Sequence, residues 1–590
     1  MGERIIAVVG ARLNSSRLPK KHFLSLAGKP LIERLWERLA KVDRLTEIVL
    51  ATTDDSYNEP LKEWAETTGR KCVAYQGAID DLMGRVDSVV KQFDTDILVY
   101  VCGDCPLVEP SAIDRMLDQI EGQPEIDTVG FSLSANGDKV IHEGFDVFRR
   151  GFWDRMVSVA SAPFEKEHVG AVYHHLKKVM PTAKGEVLEP EEYYGTEHRI
   201  SVDTPSDYRF MRRVYVEWYS GNGDETIVDL KHVIDQVKEE PGLRCINEHV
   251  YQKTIRDTSI KAVIVTESGP KVGMGHLMRM LVATAALQDY LGANVKLIIK
   301  GAPLEIPDLA LVNHSWISEL TTELWQEALE NSDLLIFDLK EKLDTRFEKG
   351  PQLSKKCMTV GIDLPMNDAT SCDLVWLPTF FTENAETFAA NDVRVGWDCF
   401  LLKDSPLWRK CPDSPQQKKV LVLSGGSDAA GLGETLPEKM LRQLPADVRI
   451  DWVQGPYASE PIVSCDDLRD RFNILFAPTD LPSLFSEYDA VMCVYGVSYF
   501  ECLRAGIPTV VFDAVGAAQP GEWQQLKKLF PDNVALDGGD AISKLAALLL
   551  SCPNDLHDDI AFKLRQGSKN FVEEIAARII ARTEISKKVG

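Results

Sequence analysis

The chain has 590 residues, of which 44% are apolar and 26% charged, and its 90 acidic against 66 basic side chains give a net charge of −24. That length exceeds a single hydrophobic core, and the composition is that of an ordinary folded protein. The acidic balance argues against a general nucleic-acid or membrane binder, because a polyanion is repelled at long range, so any anionic ligand must be met by local clusters of positive charge.

The opening "MGERIIAVVG" has no long apolar core followed by a small-residue cleavage site, and no run approaches the ~18 apolar residues that cross a bilayer. A cytoplasmic enzyme is expected. Twelve scattered cysteines fit free thiols in a reducing compartment better than a disulfide framework. Cys102 and Cys105 in "CGDC" have redox-motif spacing, but no second pair completes a zinc site.

In chain order, the apolar runs "RIIAVV", "EIVLATT" and "DILVYV", then "KAVIVT", "VKLIIK", "DLLIFD", "KKVLVLS", "RIDWVQ", "DAVMCV" and "PTVVFD" predict strands of buried parallel sheets. Between them, "PLIERLWERLAKV" and "HLMRMLVATAALQDYL" carry helical periodicity. The whole chain therefore reads as α/β. A polar, turn-rich stretch ending near residues 252–260 and a weaker break at 403–419 divide it into three parts, 1–255, 256–410 and 411–590.

Directly after the first run, "ARLNSSRLPKKH" gathers Arg12, Arg17, Lys20 and Lys21, with Ser15 and Ser16 beside them. A loop between a first strand and a helix can aim such groups at phosphate; a solvated basic turn is the alternative. "VYVCGDCPLV" puts Asp104 at a strand end, and "HRISVDTPSD" is expected to put Asp203 after another strand. Two such carboxylates can hold Mg²⁺, which prefers oxygen ligands and bridges phosphates; each alone could equally cap a helix.

In order and spacing, "ARLNSSRLPKKHFLSLAGKPLIERLWERL", "VLATTDD", "DDLMGRV", "GDCPLVEPSAID", "EHVGAVY" and "RISVDTPSDY" resemble the cytidylyltransferases that activate acidic sugars. The spore-coat polysaccharide type is nearest, with the KDO and acylneuraminate enzymes as wider relatives. The resemblance covers roughly residues 4–253 and implies a Rossmann-like (GT-A-like) nucleotidyltransferase domain. It also implies that Arg12, Arg17 and Lys21 neutralise the phosphates of CTP, that Asp104 and Asp203 carry Mg²⁺, and that a homodimer is among the expected states. Asn14 and Lys20 stand where such relatives commonly have glycine. Asp146 in "HEGFD", and Glu167 and His168 in "EKEH", match positions on the sugar side; His168 reads equally well as a structural histidine.

Further on, "GPKVGMGHLMRML" places Gly273 and Gly275 before His276 at a helix start, with Arg279 one turn later. A histidine there has its protonated form disfavoured by the helix dipole, which suits a general base; a capping turn is the plainer reading. "VLVLSGGSD" ends a strand in a turn, Gly425, Gly426 and Ser427, able to wrap a diphosphate. "VYGVSYFECLRAGIPTVVFD" puts Gly496 and Ser498 at a helix start with Glu501 one turn in, where a carboxylate can accept from ribose hydroxyls.

Together these residues resemble the two-lobed GT-B fold, and the "GxGHxxR" start is similar to the UDP-sugar hydrolases of the pseudaminic-acid route. This resemblance covers about residues 261–580. It implies that His276 activates water, that Gly425 to Ser427 and Ser498 hold a diphosphate, and that Glu501 holds the uridine ribose. Asp338 and Asp363 sit at strand ends facing the same cleft, or cap helices.

The two resemblances together imply a bifunctional enzyme of CMP-activated nonulosonic acid synthesis, of the pseudaminic or legionaminic type. It would use CTP, an acidic nine-carbon sugar and a UDP-amino-sugar, with no nucleic acid and no membrane span. A glycosyltransferase or a non-catalytic UDP-sugar-binding module are the alternatives for the second half.

Overall fold

The computed structural model describes residues 2–169, 172, 182–251, 259–340, 357–363, 372–381, 392–405, 407–408, 418–477, 480–550 and 558–589. The chain forms two compact units, Met1–Thr258 and Ser259–Gly590. Among the described residues no helix is long and apolar enough to cross a membrane, and the described cysteines are free thiols.

The N-terminal unit is built on a seven-stranded sheet in the order Lys71–Tyr75, Glu47–Thr53, Ile5–Gly10, Ile97–Cys102, Phe145–Arg149, Thr128–Phe131 and Lys184–Val187. The run "IIAVV" is apolar throughout because both faces are covered: Ile5, Ala7 and Val9 enter one core, Ile6 and Val8 the other. Helix Leu31–Leu39 buries Leu31, Ile32, Leu35 and Leu39, the stripe its periodicity predicts. The sheet is not purely parallel as expected: Phe145–Arg149 runs antiparallel to both neighbours. The connection from Thr128–Phe131 carries no helix, and without a crossover the chain must return antiparallel.

The C-terminal unit holds two parallel sheets. The first has the order His314–Ile317, Asn294–Lys300, Lys261–Glu267, Leu334–Asp338, Met358–Ile362, Leu374–Leu377 and Val393–Val395. The second has the order Phe472–Phe476, Val448–Gln454, Lys418–Leu423, Ala490–Val494 and Thr509–Phe512. In each, the chain winds outward from its first strand and then resumes on that strand's other side. Ligands bind at the carboxyl ends of strands flanking such a switch point. These switch points bring the Gly273–His276 loop beside Asp338, and the Gly425–Ser427 turn beside Gly496.

A lobe running from 411 to 590 does not describe the end of the chain. Helix Asp558–Val589 puts Leu564 into the core of the last sheet, but Phe571, Val572 and Ile575 into the core of the preceding one. It crosses the strap Trp397–Phe400 at Gly567, where an added methyl would overlap the Phe400 carbonyl oxygen. Gly567→Ala must push the helix outward at a cost of about 1–3 kcal/mol. Scanning calorimetry should show the C-terminal unit's transition several degrees lower with the N-terminal transition unmoved, and an unchanged thermogram would refute this packing.

Candidate functional site

In the N-terminal unit the switch point lies between Ile5–Gly10 and Ile97–Cys102, and the loops leaving these strands meet there. Gly103 donates its N–H to Gly10 O at 3.0 Å. A Cβ at Gly103 would sit 2.7 Å from that oxygen and 3.0 Å from His22 Cε1, so only glycine lets the Asp104 turn lie this close. His22 Nδ1 donates to Gly103 O at 2.9 Å. Burial, reinforced by the adjacent Lys21 charge, pushes His22 down to about 4, so the imidazole is a neutral brace between the loops.

The basic loop is tied down by Ser15 within it and by Asn58, which no sequence motif marks. Buried Asn58 accepts from Leu13 N at 2.7 Å, and Ser15 Oγ accepts from Leu18 N at 3.3 Å. Lys20 has φ 51, a left-handed conformation that favours glycine. Lysine here bears that strain.

Lys21 is the centre of the site. Its Nζ lies 2.5 Å from Asp104 Oδ2 and 2.8 Å from Asp203 Oδ1. Burial disfavours its charge, but the two carboxylates outweigh this and raise its pKa. Asp203 is also approached by Arg17 at 3.4 Å and by Arg199; burial would raise its carboxyl, yet these cations and Lys21 hold it well below the ordinary carboxylate range. Arg199 was not anticipated, though its place four residues before Asp203 was a usable signal.

Asp203 does not follow a strand as expected. The stretch "RISVD" is irregular backbone, joined to the Asp104 turn by Val202 N donating to Asp104 O at 2.9 Å. Its shape is set by side chains instead: Glu143 accepts from Ile200 N at 2.7 Å, and Asp207 accepts from Asp203 N and Thr204 N at 3.1 and 3.0 Å.

Arg12 bonds Ile79 O at 3.1 Å, Asp80, and Glu167 Oε1 at 3.3 Å, so a phosphate must displace carboxylates to engage it. His168 ends helix Pro163–Glu167, and most of "EHVGAVY" beyond Val169 lies outside the described residues. Asp146 pairs in register with Tyr100 of the neighbouring strand. Its side chain is exposed, and the surrounding protein raises its carboxyl to about 6 by reducing its hydration.

Two carboxylates tethered by one ammonium fit a small divalent cation, which is commonly held by one or two carboxylates together with phosphate oxygens. Among the described residues no group of three or more His, Cys, Asp or Glu forms an all-protein metal cage. Asp104 and Asp203 are the residues that would hold Mg²⁺. Cys102 and Cys105 flank Asp104 within a turn closed by Cys105 N donating to Cys102 O at 3.2 Å.

In the C-terminal unit, His276, Arg279, Asp338 and Asp363 come together. His276, in the first turn of helix Gly275–Leu291, donates from Nδ1 to Asp338 Oδ1 at 2.6 Å. Arg279 reaches Asp338 through Nη2 at 2.6 Å and Asp363 through Nη1 at 3.0 Å. Asp338 is fully buried; burial would raise its carboxyl, but Arg279 and His276 hold it below the ordinary value. An Nδ1–H committed to a carboxylate leaves Nε2 as the basic nitrogen.

His276, Arg279, Asp363 and Gly275 line a cavity of about 720 Å³ whose opposite wall includes Tyr495 and Gly496. Gly273, at φ 82, shapes the loop before His276. The turn Gly425–Ser427 faces that loop: a Cβ at Gly426 would sit 2.6 Å from Met274 Cγ, and Gly426 O accepts from Tyr457 N at 3.0 Å. Ser498 follows the wall residues Gly496 and Val497.

Glu501 does not join the cavity wall; it is 7% exposed, one turn into helix Val497–Ala505. Burial pushes its carboxyl up to about 7, against the opposing charge and N–H of Lys403. The folded state therefore holds a proton more tightly than the unfolded chain. This contribution is fully present below about pH 4.5, is lost as pH rises to about 7, and stays absent above it. Glu501→Gln should raise the C-terminal unit's stability at pH 8 by up to about 3 kcal/mol and by less at pH 5. Equal thermal midpoints of variant and wild type at pH 8 would contradict the assignment.

Comparison with known proteins finds relatives of the N-terminal unit. Residues 6–168 match the family model described as Cytidylyltransferase. An uncharacterized protein of Methanocaldococcus jannaschii is 26% identical over 255 residues, covering 43% of this chain and 98% of that protein. An 8-amino-3,8-dideoxy-manno-octulosonate cytidylyltransferase of Shewanella is 28% identical over 240 residues, covering 35% of this chain and 96% of that protein. Among solved structures, the glycotransferase of kitacinnamycin aligns with a TM-score of 0.38 at 13% identity, over 55% of this chain and 100% of that one. Residues 6–168, which include the strand ends that position Lys21 and Asp104, are thus the part of the chain that is similar to the Cytidylyltransferase family.

Proposed function

We propose that the N-terminal unit transfers CMP from CTP to the hydroxyl of an acidic sugar, releasing pyrophosphate. The observation that carries this reading is the convergence of Lys21, Arg17 and Arg199 on Asp104 and Asp203 at the sheet's switch point. It is supported by the family match and by the octulosonate substrate in the Shewanella relative's name. Mg²⁺ bound at the two carboxylates would supply charge neutralisation of the triphosphate. Arg17 and Lys21 hold the phosphates in line for displacement at the α-phosphorus, with positioning rather than a protein nucleophile lowering the barrier. The neutral His22 keeps the two loops in register.

For the C-terminal unit the proposed activity is hydrolytic release of UDP from a UDP-amino-sugar. His276 Nε2 takes a proton from water as that water attacks the anomeric carbon, and Asp338 stabilises the imidazolium that forms. The support is the His276–Asp338 pair on the wall of a cavity large enough for a nucleotide sugar. Together the two activities would supply and then activate a nonulosonic acid of the pseudaminic or legionaminic type. A condensation by another enzyme must separate them.

Pyrophosphate release by the full-length protein with Mg²⁺ and CTP should depend on one member of a panel of eight- and nine-carbon ulosonic acids and vanish in Asp104→Ala. Release with no acid on the panel, from protein that binds CTP, would overturn the substrate class. UDP release from the matching UDP-amino-sugar should fall on the order of 10²-fold or more in His276→Ala, and a rate unchanged in that variant would remove histidine from the mechanism.

A further inference from the structure

The cavity of the C-terminal unit carries a carboxylate that the proposed hydrolysis does not use. Glu522 lies in the first turn of helix Pro520–Leu529 and is 9% exposed. Its Oε1 accepts from Thr379 Oγ1 at 2.8 Å, and the Tyr495 hydroxyl donates to the same carboxylate. Thr379 Oγ1 in turn accepts from Phe381 N at 3.1 Å, which fixes the direction of its own proton toward Glu522. All four residues line the cavity that holds His276. The Phe381 ring lies against Gly521, with no room for a methyl group between them, so this ring and the Glu522 carboxylate are neighbours on one wall.

A carboxylate offers about four acceptor positions, and two neutral donors leave the others open toward the cavity. When a ligand displaces water from them, the loss is made good only by an N–H or O–H of that ligand. A hydroxyl would satisfy the carboxylate but set a polar group beside the Phe381 ring. An acylamino group supplies an N–H for the one and an apolar acyl methyl for the other.

We propose that Glu522 is a specificity-determining residue of this cleft, and that it accepts the N–H of an acylamino substituent on the sugar ring while the acyl methyl packs on Phe381. The inference deepens the reading of the cleft as a UDP-sugar site and rests on it. Thr379 and Tyr495 act by holding the carboxylate.

Isothermal titration of the full-length protein with UDP, UDP-glucose and UDP-N-acetylglucosamine tests this. The wild-type chain should bind the acylamino sugar about tenfold more tightly than its hydroxyl counterpart. In Glu522→Leu, which has no acceptor, the ratio should collapse toward one while UDP affinity, which also reports that the variant is folded, stays unchanged. A wild-type ratio near one, or a ratio preserved in the variant, with UDP bound normally, overturns the role of Glu522 alone. Failure of UDP itself to bind the wild-type chain overturns the reading of the cleft, and the inference falls with it.

Discussion

One ammonium group holds the N-terminal site together. Asp104 and Asp203 come from segments about a hundred residues apart, and without a cation between them their carboxylates would repel and take up protons. Lys21 Nζ bonds both, and the backbone link from Val202 to Asp104 fixes the same approach. The cations hold Asp203 ionised, and both carboxylates are positioned before any ligand arrives, which is preorganisation. The protein as a whole is strongly acidic. Its positive charge at this site is therefore local, gathered by Arg17, Lys21 and Arg199 from two segments.

The C-terminal unit solves a similar problem with the signs exchanged. Here a fully buried carboxylate, Asp338, is the hub, and a guanidinium and an imidazole converge on it. Both hubs sit where strands leave a sheet at its switch point, because only there do loops diverge and leave a crevice. The acid-based hub orients a base, and the ammonium-based hub orients acids. His22, a neutral brace, and His276, on a cavity wall, show that a histidine's role follows from what its second nitrogen can reach.

The parts of the architecture that rest on local signals were legible in the sequence. Runs such as "IIAVV", "KAVIVT" and "VLVLS" are strands because both faces are buried, and the motifs at their ends mark the switch points. Parts that depend on long-range pairing were not. Nothing in "FDVFR" distinguishes antiparallel from parallel, since direction is set by the absence of a helix in the preceding connection. "RISVD" has strand-like composition, yet its backbone is satisfied by Glu143 and Asp207 rather than by a ladder. Asn58, Thr379 and Glu522 lie in segments without a motif, and their roles exist only once distant elements meet. Lys20 is the converse case: it lies within a motif, yet its positive φ is a property of the backbone that the motif does not reveal.

The claim on which the N-terminal account rests is that the two carboxylates tethered by Lys21 form the metal–triphosphate site. The most direct measurement is Mn²⁺ titration of the full-length protein with CTP, followed by electron paramagnetic resonance. Wild-type protein should bind one Mn²⁺·CTP tightly, and Asp203→Asn with an unchanged circular dichroism spectrum should lose at least about tenfold in affinity. Wild-type affinity in both Asp203→Asn and Asp104→Asn would contradict the account.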